Sequence, residues 1–178
     1  VVHINRNIAA SNYGKYVVVA HEVNGFPLYT LYAHLRTVPE ELKIGLNVDS
    51  GDELGVLGRT TNTSDGIASW RAHLHFEIGV QINSRFNGWF KNWYRDGKNL
   101  HGQWNGLKLL GLDAADILKR DHAGKFELEE YLMSLPVLCR VRVNRQKLDW
   151  LDRYPELIDD GPESTGTHHA WDLDLSFS

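Results

Sequence analysis

The sequence predicts a mainly β fold of antiparallel sheets over residues 1–83, followed by a mixed α+β extension over residues 84–178. Two observations predict it. The first eighty or so residues are short β-branched or alternating runs separated by Gly and Asn, which is typical of strands and hairpin turns. The remaining residues mix helical periodicity with Trp-rich connections. We therefore place a domain boundary near Asn83.

Four segments of the first part read as strands. The β-branched run 16–21 and the run 28–35 flank Asn24-Gly25, a strong hairpin signal, so we expect these two strands to pair antiparallel. Residues 51–58 space glycines through a short apolar stretch, which indicates a strand with tight corners. Residues 73–80 alternate strictly between polar and apolar and predict a further strand.

The extension is predicted to contain both helices and strands. Its Trp-rich beginning, with Trp89, Trp93 and Trp104, receives no assignment, and packing is favoured over sugar stacking as the role of these rings. Asp113 is a candidate N-cap for the helix that follows it. The predicted elements are a helix over 114–119, a helix over 126–134, a strand over 137–143, a helix over 147–154 and a strand over 171–177.

Composition narrows the chemistry. The net charge of −4 and the intermixed charges leave no basic stripe, so nucleic acid is not an expected partner. Cys139 is the only cysteine, which excludes an internal disulfide and a four-thiolate zinc site. Any metal must be held by His and carboxylate. The sequence has no apolar run of membrane-spanning length and no signal peptide, but it opens on Val1 as if inside a strand, which leaves room for a leader or membrane anchor upstream.

An H-x-H pattern is the first candidate for chemistry. In a strand over 73–80, His73, His75 and Glu77 share one face, while Leu74, Phe76 and the later apolar residues pack on the other. Imidazoles two residues apart can reach one pocket from a rigid backbone, so that one binds zinc and the other moves protons beside it. A chance pair of solvent-facing histidines is the alternative for an isolated H-x-H.

A third histidine lies in the preceding predicted strand. Strict alternation places Leu31, Ala33 and Leu35 on one face and Tyr32 with His34 on the other. His34 is therefore expected to project from the functional side of the sheet. A single histidine of this kind is more often structural, and the combination with His73 and His75 is what raises its significance.

These motifs together resemble the lysostaphin-type metallopeptidases of family 23. The resemblance covers about residues 1–82. It depends on GKYVVV (14–19) with His21, TLYAHL (30–35), the dipeptides Gly51-Asp52 and Leu57-Gly58, and HLHFEI (73–78). It implies a zinc enzyme that cuts peptide bonds in bacterial peptidoglycan. By the same resemblance, His75 is the zinc ligand, while His34 and His73 flank the reacting water as base and oxyanion stabiliser in either order. His21 is interpreted as structural.

The sequence departs from the family pattern in two places. The family's other two ligands come from an H-x-x-x-D block before the Tyr-Ala-His block, and His3 is followed four positions later by Asn7, not Asp. We interpret this gap as truncation upstream of Val1, with loss of ligands in a non-enzymatic relative as the alternative. In the family, a short Gly-rich segment usually precedes H-x-H, whereas residues 60–72 have a different sequence at that position.

A second H-x-x-x-D pattern occurs near the end of the chain, at His168 and Asp172. We interpret that segment as the entry to an alternating strand, with Trp171, Leu173, Leu175 and Phe177 buried.

The predicted function is a zinc-dependent endopeptidase acting on the stem or cross-link peptides of peptidoglycan, in the periplasm, cell envelope or outside the cell. The first alternative is a non-catalytic relative that binds cell wall or activates another wall hydrolase. The second is a glycine-punctuated sandwich or carrier-like β domain with no metal. The sequence assigns no role to the extension and predicts no oligomeric state.

Overall fold

The computed structural model describes residues 1–104, 109–159 and 170–176. Within them, one five-stranded antiparallel sheet has the order β1-β2-β3-β4-β5, and a second sheet pairs β6 with β7. This confirms the predicted mainly β fold with a mixed extension. The elements are β1 (His3–Asn5), β2 (Lys15–Val23), β3 (Phe26–Leu35), β4 (His75–Gln81), α1 (Phe86–Trp93), β5 (Leu109–Leu112), α2 (Ala114–His122), α3 (Leu128–Met133), β6 (Val137–Val143) and β7 (Trp171–Ser176).

The β2–β3 hairpin is the centre of the large sheet. Its two-residue turn holds Asn24 at φ 53° and Gly25 at φ 86°, which is the backbone that a tight hairpin turn requires at both central positions. Val23 then pairs with Phe26, and the ladder continues to Val17 opposite Tyr32. The prediction of two antiparallel strands joined at Asn24-Gly25 is confirmed, and each strand is longer than predicted.

The two faces of the large sheet bury different sets of residues. On one face, Val17, Val19 and Leu35 pack with Tyr32. On the opposite face lies a cluster formed by Tyr16, Val18, Tyr29, Leu31, Ala33 and Leu109. A third cluster, at the other end of β3 and β4, joins Phe26, Leu28, Ile78 and Val80 to apolar residues of α2 and α3 and to Tyr154. The sheet is therefore covered on both sides where its central strands run.

The extension packs directly onto the strands of the first part. β5 pairs antiparallel with β4, with Ile78 opposite Leu112. The buried Tyr154 donates its hydroxyl to the Pro27 carbonyl at 2.7 Å, and the same oxygen accepts the Gln81 amide at 3.2 Å. The boundary near Asn83 stays a prediction, while the described residues on its two sides share one sheet and one core.

Two predicted elements are wrong. Residues 51–58 form no strand and make only an isolated bridge between Val56 and Thr37. At Gly58 this segment instead passes close to the backbone of Arg36, since a Cβ on Gly58 would lie 2.4 Å from the Arg36 nitrogen. Residues 147–154 form turns instead of a helix: the Leu151 and Arg153 amides bond to carbonyls three residues back. Pro155 also disfavours the helical backbone at Tyr154, which has φ at −132° and ψ at 59°.

Other elements of the extension match the sequence more closely. Asp113 caps α2 by accepting the Asp116 amide, and β6 has the predicted bounds. The Trp-rich stretch after Asn83, for which the sequence predicted no element, contains α1 and leads into β5. No helix of the described residues is long and apolar enough to cross a membrane.

The second sheet bears on the alternative H-x-x-x-D motif. His168 lies outside the described residues, whereas Asp172 is held in β7 by a bidentate pair with Arg142 at 2.7 and 2.6 Å. The predicted strand is confirmed over residues 171–176. Its predicted burial is wrong at Leu175, which is 45% exposed, because β6 and β7 pack mainly on each other among the described elements. Phe177 lies outside the described residues.

Candidate active site

A β-bulge in β3 positions His34. Lys15 pairs with Leu35 and Val17 pairs with Tyr32, so β3 contains one residue more than β2 at this point. His34 takes up the extra length with φ at 61°, in the left-handed region that His adopts more readily than most residues. Its amide donates to the Tyr13 carbonyl at 3.0 Å. Bulges of this kind re-aim a side chain.

The bulge corrects the predicted facing of β3. Leu31 and Ala33 pack on one face, but Leu35 packs with Tyr32 on the other, so alternation is broken at His34. His75 pairs with Ala33, and paired residues in a ladder project to the same face. Unbroken alternation would have put His34 on the face opposite to His75. The left-handed backbone brings the His34 ring instead to 5.6 Å from the His75 ring.

Thr60 fixes the orientation of His34. Its carbonyl accepts Nδ1–H of His34 at 2.8 Å, and because a carbonyl can only accept, Nδ1 carries the proton. The Thr60 hydroxyl donates to the Leu35 carbonyl at 2.8 Å and accepts the Lys15 amide at 2.9 Å. Thr60 therefore bridges β2 and β3 at the bulge, and it leaves Nε2 of His34 with a free lone pair.

His75 begins β4 and is oriented by Glu77. Nε2–H of His75 donates to Oε1 of Glu77 at 2.6 Å, and the Tyr13 hydroxyl donates to the same oxygen at 2.7 Å. The Tyr13 ring lies edge-on to His75 with centroids 5.2 Å apart. His75 and Glu77 share the face of Leu31 and Ala33, as their register requires. Nδ1 of His75 is thus the nitrogen left to bind.

His73 approaches the site from outside the strand. It follows a short 3-10 turn (Ser69–Arg71) and precedes β4, and its Nδ1–H donates to the Arg71 carbonyl at 2.7 Å. Its ring lies 5.0 Å from that of His34. The prediction that Leu74 packs opposite His73 is wrong: Leu74 is 41% exposed, because the ladder with β3 starts only at His75.

The structure thus brings together the three predicted site histidines, each with one nitrogen held by the protein. His34 is buried and lies between the exposed His73 and the half-buried His75. Burial lowers the pKa of His34 below its ordinary value, the His73 and His75 rings lower it further, and the bond to the Thr60 carbonyl opposes this shift. A neutral His34 with a free Nε2 is able to accept a proton at neutral pH.

His21 lies apart from this group. It pairs with Leu28 nearer to the hairpin turn, and its Nε2 contacts the Thr30 hydroxyl at 2.7 Å. Its interpretation as structural stays a prediction.

The sequence did not identify two further residues that position these histidines, Tyr13 and Thr60. Each acts through long-range hydrogen bonds, with 64 residues separating Tyr13 from Glu77 and 26 separating His34 from Thr60. In the sequence, the feature that could have indicated them is Gly14, which directly follows Tyr13. In the structure, Gly14 lies against Thr60.

Among the described residues, His75 is the predicted metal ligand, and its geometry can be compared with that of a ligating imidazole. His75 fits one ligand well, because a ligating imidazole usually donates its other nitrogen to a carboxylate, as His75 does to Glu77. However, no group of three or more His, Cys, Asp or Glu within residues 1–104, 109–159 and 170–176 could hold a metal ion. The described donor set is therefore compatible with one ligand and does not complete a metal site.

Comparison with known proteins bears on the first half of the chain. No significant match was found among curated proteins or among solved structures. The family model of peptidase family M23 matches residues 1–87, a range that includes the bulge, Thr60 and the three histidines. Peptidases of this family are in general metallopeptidases. Residues 1–87 therefore belong to peptidase family M23.

Proposed function

We propose that the protein is a zinc-dependent endopeptidase that hydrolyses peptide bonds in bacterial cell-wall peptidoglycan. The observation that supports it most is the grouping of His34, His73 and His75, with ring centroids 5.0 and 5.6 Å apart, within residues of peptidase family M23. Its substrates are stem or cross-link peptides, and its place of action is the periplasm, the cell envelope or the exterior. These are the compartments in which the substrate occurs.

His75 is the proposed zinc ligand, through Nδ1. Glu77 and Tyr13 hold the ring so that this nitrogen points away from the carboxylate. Zinc, when bound, lowers the pKa of a water molecule and polarises the scissile carbonyl. The remaining ligands are proposed to come from outside the described residues.

His34 and His73 are the proposed catalytic residues. Each has its Nδ1 proton bound to a backbone carbonyl, of Thr60 or of Arg71, so each presents Nε2. One imidazole accepts a proton from the attacking water and then gives it to the leaving amine. The other, protonated from solvent beforehand, donates a hydrogen bond to the developing oxyanion. His34 is buried and firmly held, whereas His73 is exposed between a short 3-10 turn and β4. This contrast gives the site one fixed and one accessible imidazole.

The test uses two lengths of the protein. The 178 residues alone are expected to bind zinc weakly in calorimetry, because one imidazole cannot replace a complete ligand set. The protein purified from its native host at native length is expected to release new amino groups from purified peptidoglycan, and a zinc chelator should abolish the release. Tight stoichiometric zinc binding by the 178 residues, or chelator-resistant hydrolysis, would contradict the proposal.

A second candidate is favoured by the incomplete donor set of the described residues. In it the domain is non-catalytic and binds the cell wall or activates another wall hydrolase. The same experiment separates the two: native-length protein that sediments with peptidoglycan, releases no amino groups and increases release by a separate hydrolase would favour this candidate.

A further inference from the structure

A cavity lies between the M23 residues and the extension. It is open to solvent and has a volume of about 630 Å³, within the usual size range of ligand pockets. One wall comes from residues 10–13 and Asn62, and the other from Phe90 and residues 98–101. We call it the extension pocket. Because half of its lining lies beyond residue 87, the region matched by the M23 family model does not form it alone.

The extension pocket is next to the candidate active site. Tyr13 lines the pocket, and its hydroxyl and ring also contact Glu77 and His75. Asn62, on the same wall, is two residues from Thr60, which anchors His34. A ligand in the pocket is therefore separated from His75 by a single side chain. Because Tyr13 contacts both the pocket and His75, this position suits a neighbouring residue of an extended substrate better than a separate regulatory ligand.

The walls of the pocket are held in place by hydrogen bonds within each part of the chain and between the two parts. His101 contacts the Tyr16 hydroxyl at 2.6 Å through Nδ1 and donates Nε2–H to the Ala10 carbonyl at 2.8 Å. On the facing wall, the Asn62 amide donates to the Ser11 carbonyl at 3.1 Å. Asn99 is fixed by bonds to Asn87 at 2.5 Å and to the Gly102 carbonyl at 2.8 Å. These contacts make the pocket a preformed site.

The lining chemistry selects for a particular ligand. Lys98 is the one Lys, Arg, Asp or Glu among the described lining residues, in a chain whose net charge is −4. Phe90 and Leu100 offer apolar surface for small side chains, and Asn12 and Asn62 carry amide groups that match peptide groups. An ammonium group without an acidic neighbour in the lining favours a carboxylate. The combination fits a peptide with small apolar side chains and a free carboxylate.

We propose that the extension pocket is a substrate subsite that binds a carboxylate-bearing peptide segment next to the scissile bond, with Lys98 as its anion-binding residue. The inference rests on the proposed endopeptidase function and adds to it a substrate class and a role for the extension. Residues 90–101 then determine which peptides the three histidines can reach.

The test is an NMR titration of the ¹⁵N-labelled 178-residue chain, without metal. The probes are tetra-alanine with a free carboxyl terminus and tetra-alanine amide. We expect the free acid to shift the backbone amides of Asn62, Asn99 and Leu100 at lower concentration than the amide does. Lys98→Glu should weaken binding of the acid about threefold or more, since an attraction becomes a repulsion. It should leave the affinity for the amide unchanged.

Lys91→Glu is the matched control, because Lys91 is an exposed lysine of α1 outside the pocket lining. Equal affinities for acid and amide, an equal effect of Lys91→Glu, or shifts confined to the three histidines would overturn the pocket while the proposed endopeptidase stands. Selective shifts at the pocket together with no hydrolysis by native-length protein would support a carboxylate-binding peptide pocket and overturn the endopeptidase. Thermal unfolding of both variants checks that the fold is unchanged.

Discussion

His34→Ala and His73→Ala are each expected to slow peptidoglycan hydrolysis by native-length protein about 10²- to 10⁴-fold, the usual contribution of a positioned acid or base. Zinc should remain bound in both, because their Nε2 atoms are assigned to proton transfer and not to the metal. His75→Ala should instead lose zinc, since it removes the proposed ligand itself. Hydrolysis is measured by release of amino groups, and zinc by metal analysis after dialysis.

His122→Ala is the matched control for these three variants. His122 is an exposed histidine at the end of α2, away from the site, and its removal should change neither zinc content nor rate. Turnover retained within about threefold in His34→Ala or His73→Ala would show that the imidazole has no part in the chemistry. Zinc retained at full stoichiometry in His75→Ala would show that the metal lies elsewhere.

Gly14→Ala is expected to reduce the free energy of unfolding by about 3 kcal/mol or more. Gly14 has φ at 62°, where an Ala side chain is strained, and its Cβ would lie 2.1 Å from the Thr60 carbonyl oxygen. That contact is with backbone and cannot be relieved by a rotamer change. Since the same carbonyl accepts the His34 proton, the substitution should also displace His34.

Gly25→Ala is the control that separates the two costs. Gly25 has φ at 86°, but no atom lies within 4 Å of an added Cβ, so only the backbone strain of about 1–2 kcal/mol applies. Urea unfolding followed by circular dichroism measures both variants. A loss in Gly14→Ala equal to that in Gly25→Ala would mean that Thr60 does not press against the turn as described.

The sequence predicted correctly those elements that depend on the residues within or next to them. Asn24-Gly25 fixed the hairpin because both residues tolerate positive φ, and the alternation after His73 identified β4 because its register is set by burial. Asp113 identified the start of α2 by the same logic. The grouping of His34, His73 and His75 was predicted from their spacing and from the family resemblance taken together, and the three rings do lie close together.

Tertiary contacts decided the features that the sequence did not show. Alternation put His34 on the wrong face, because a bulge shows only in the pairing of β3 with β2. The β5 strand is four residues long, and it is a strand because β4 offers an edge to pair with. Thr60 and Tyr13 are far in sequence from the residues to which they hydrogen-bond at the site, so no spacing pattern predicts their contacts.

The most direct test of the central claim is the protonation pattern of the three imidazoles, measured by long-range ¹H–¹⁵N NMR on the 178-residue chain at pH 8. Single His→Gln variants assign the signals. We predict His34 and His73 as Nδ1–H tautomers, bound to the Thr60 and Arg71 carbonyls, and His75 as the Nε2–H tautomer, bound to Glu77. An Nδ1–H tautomer at His75, or an Nε2–H tautomer at His34, would contradict it.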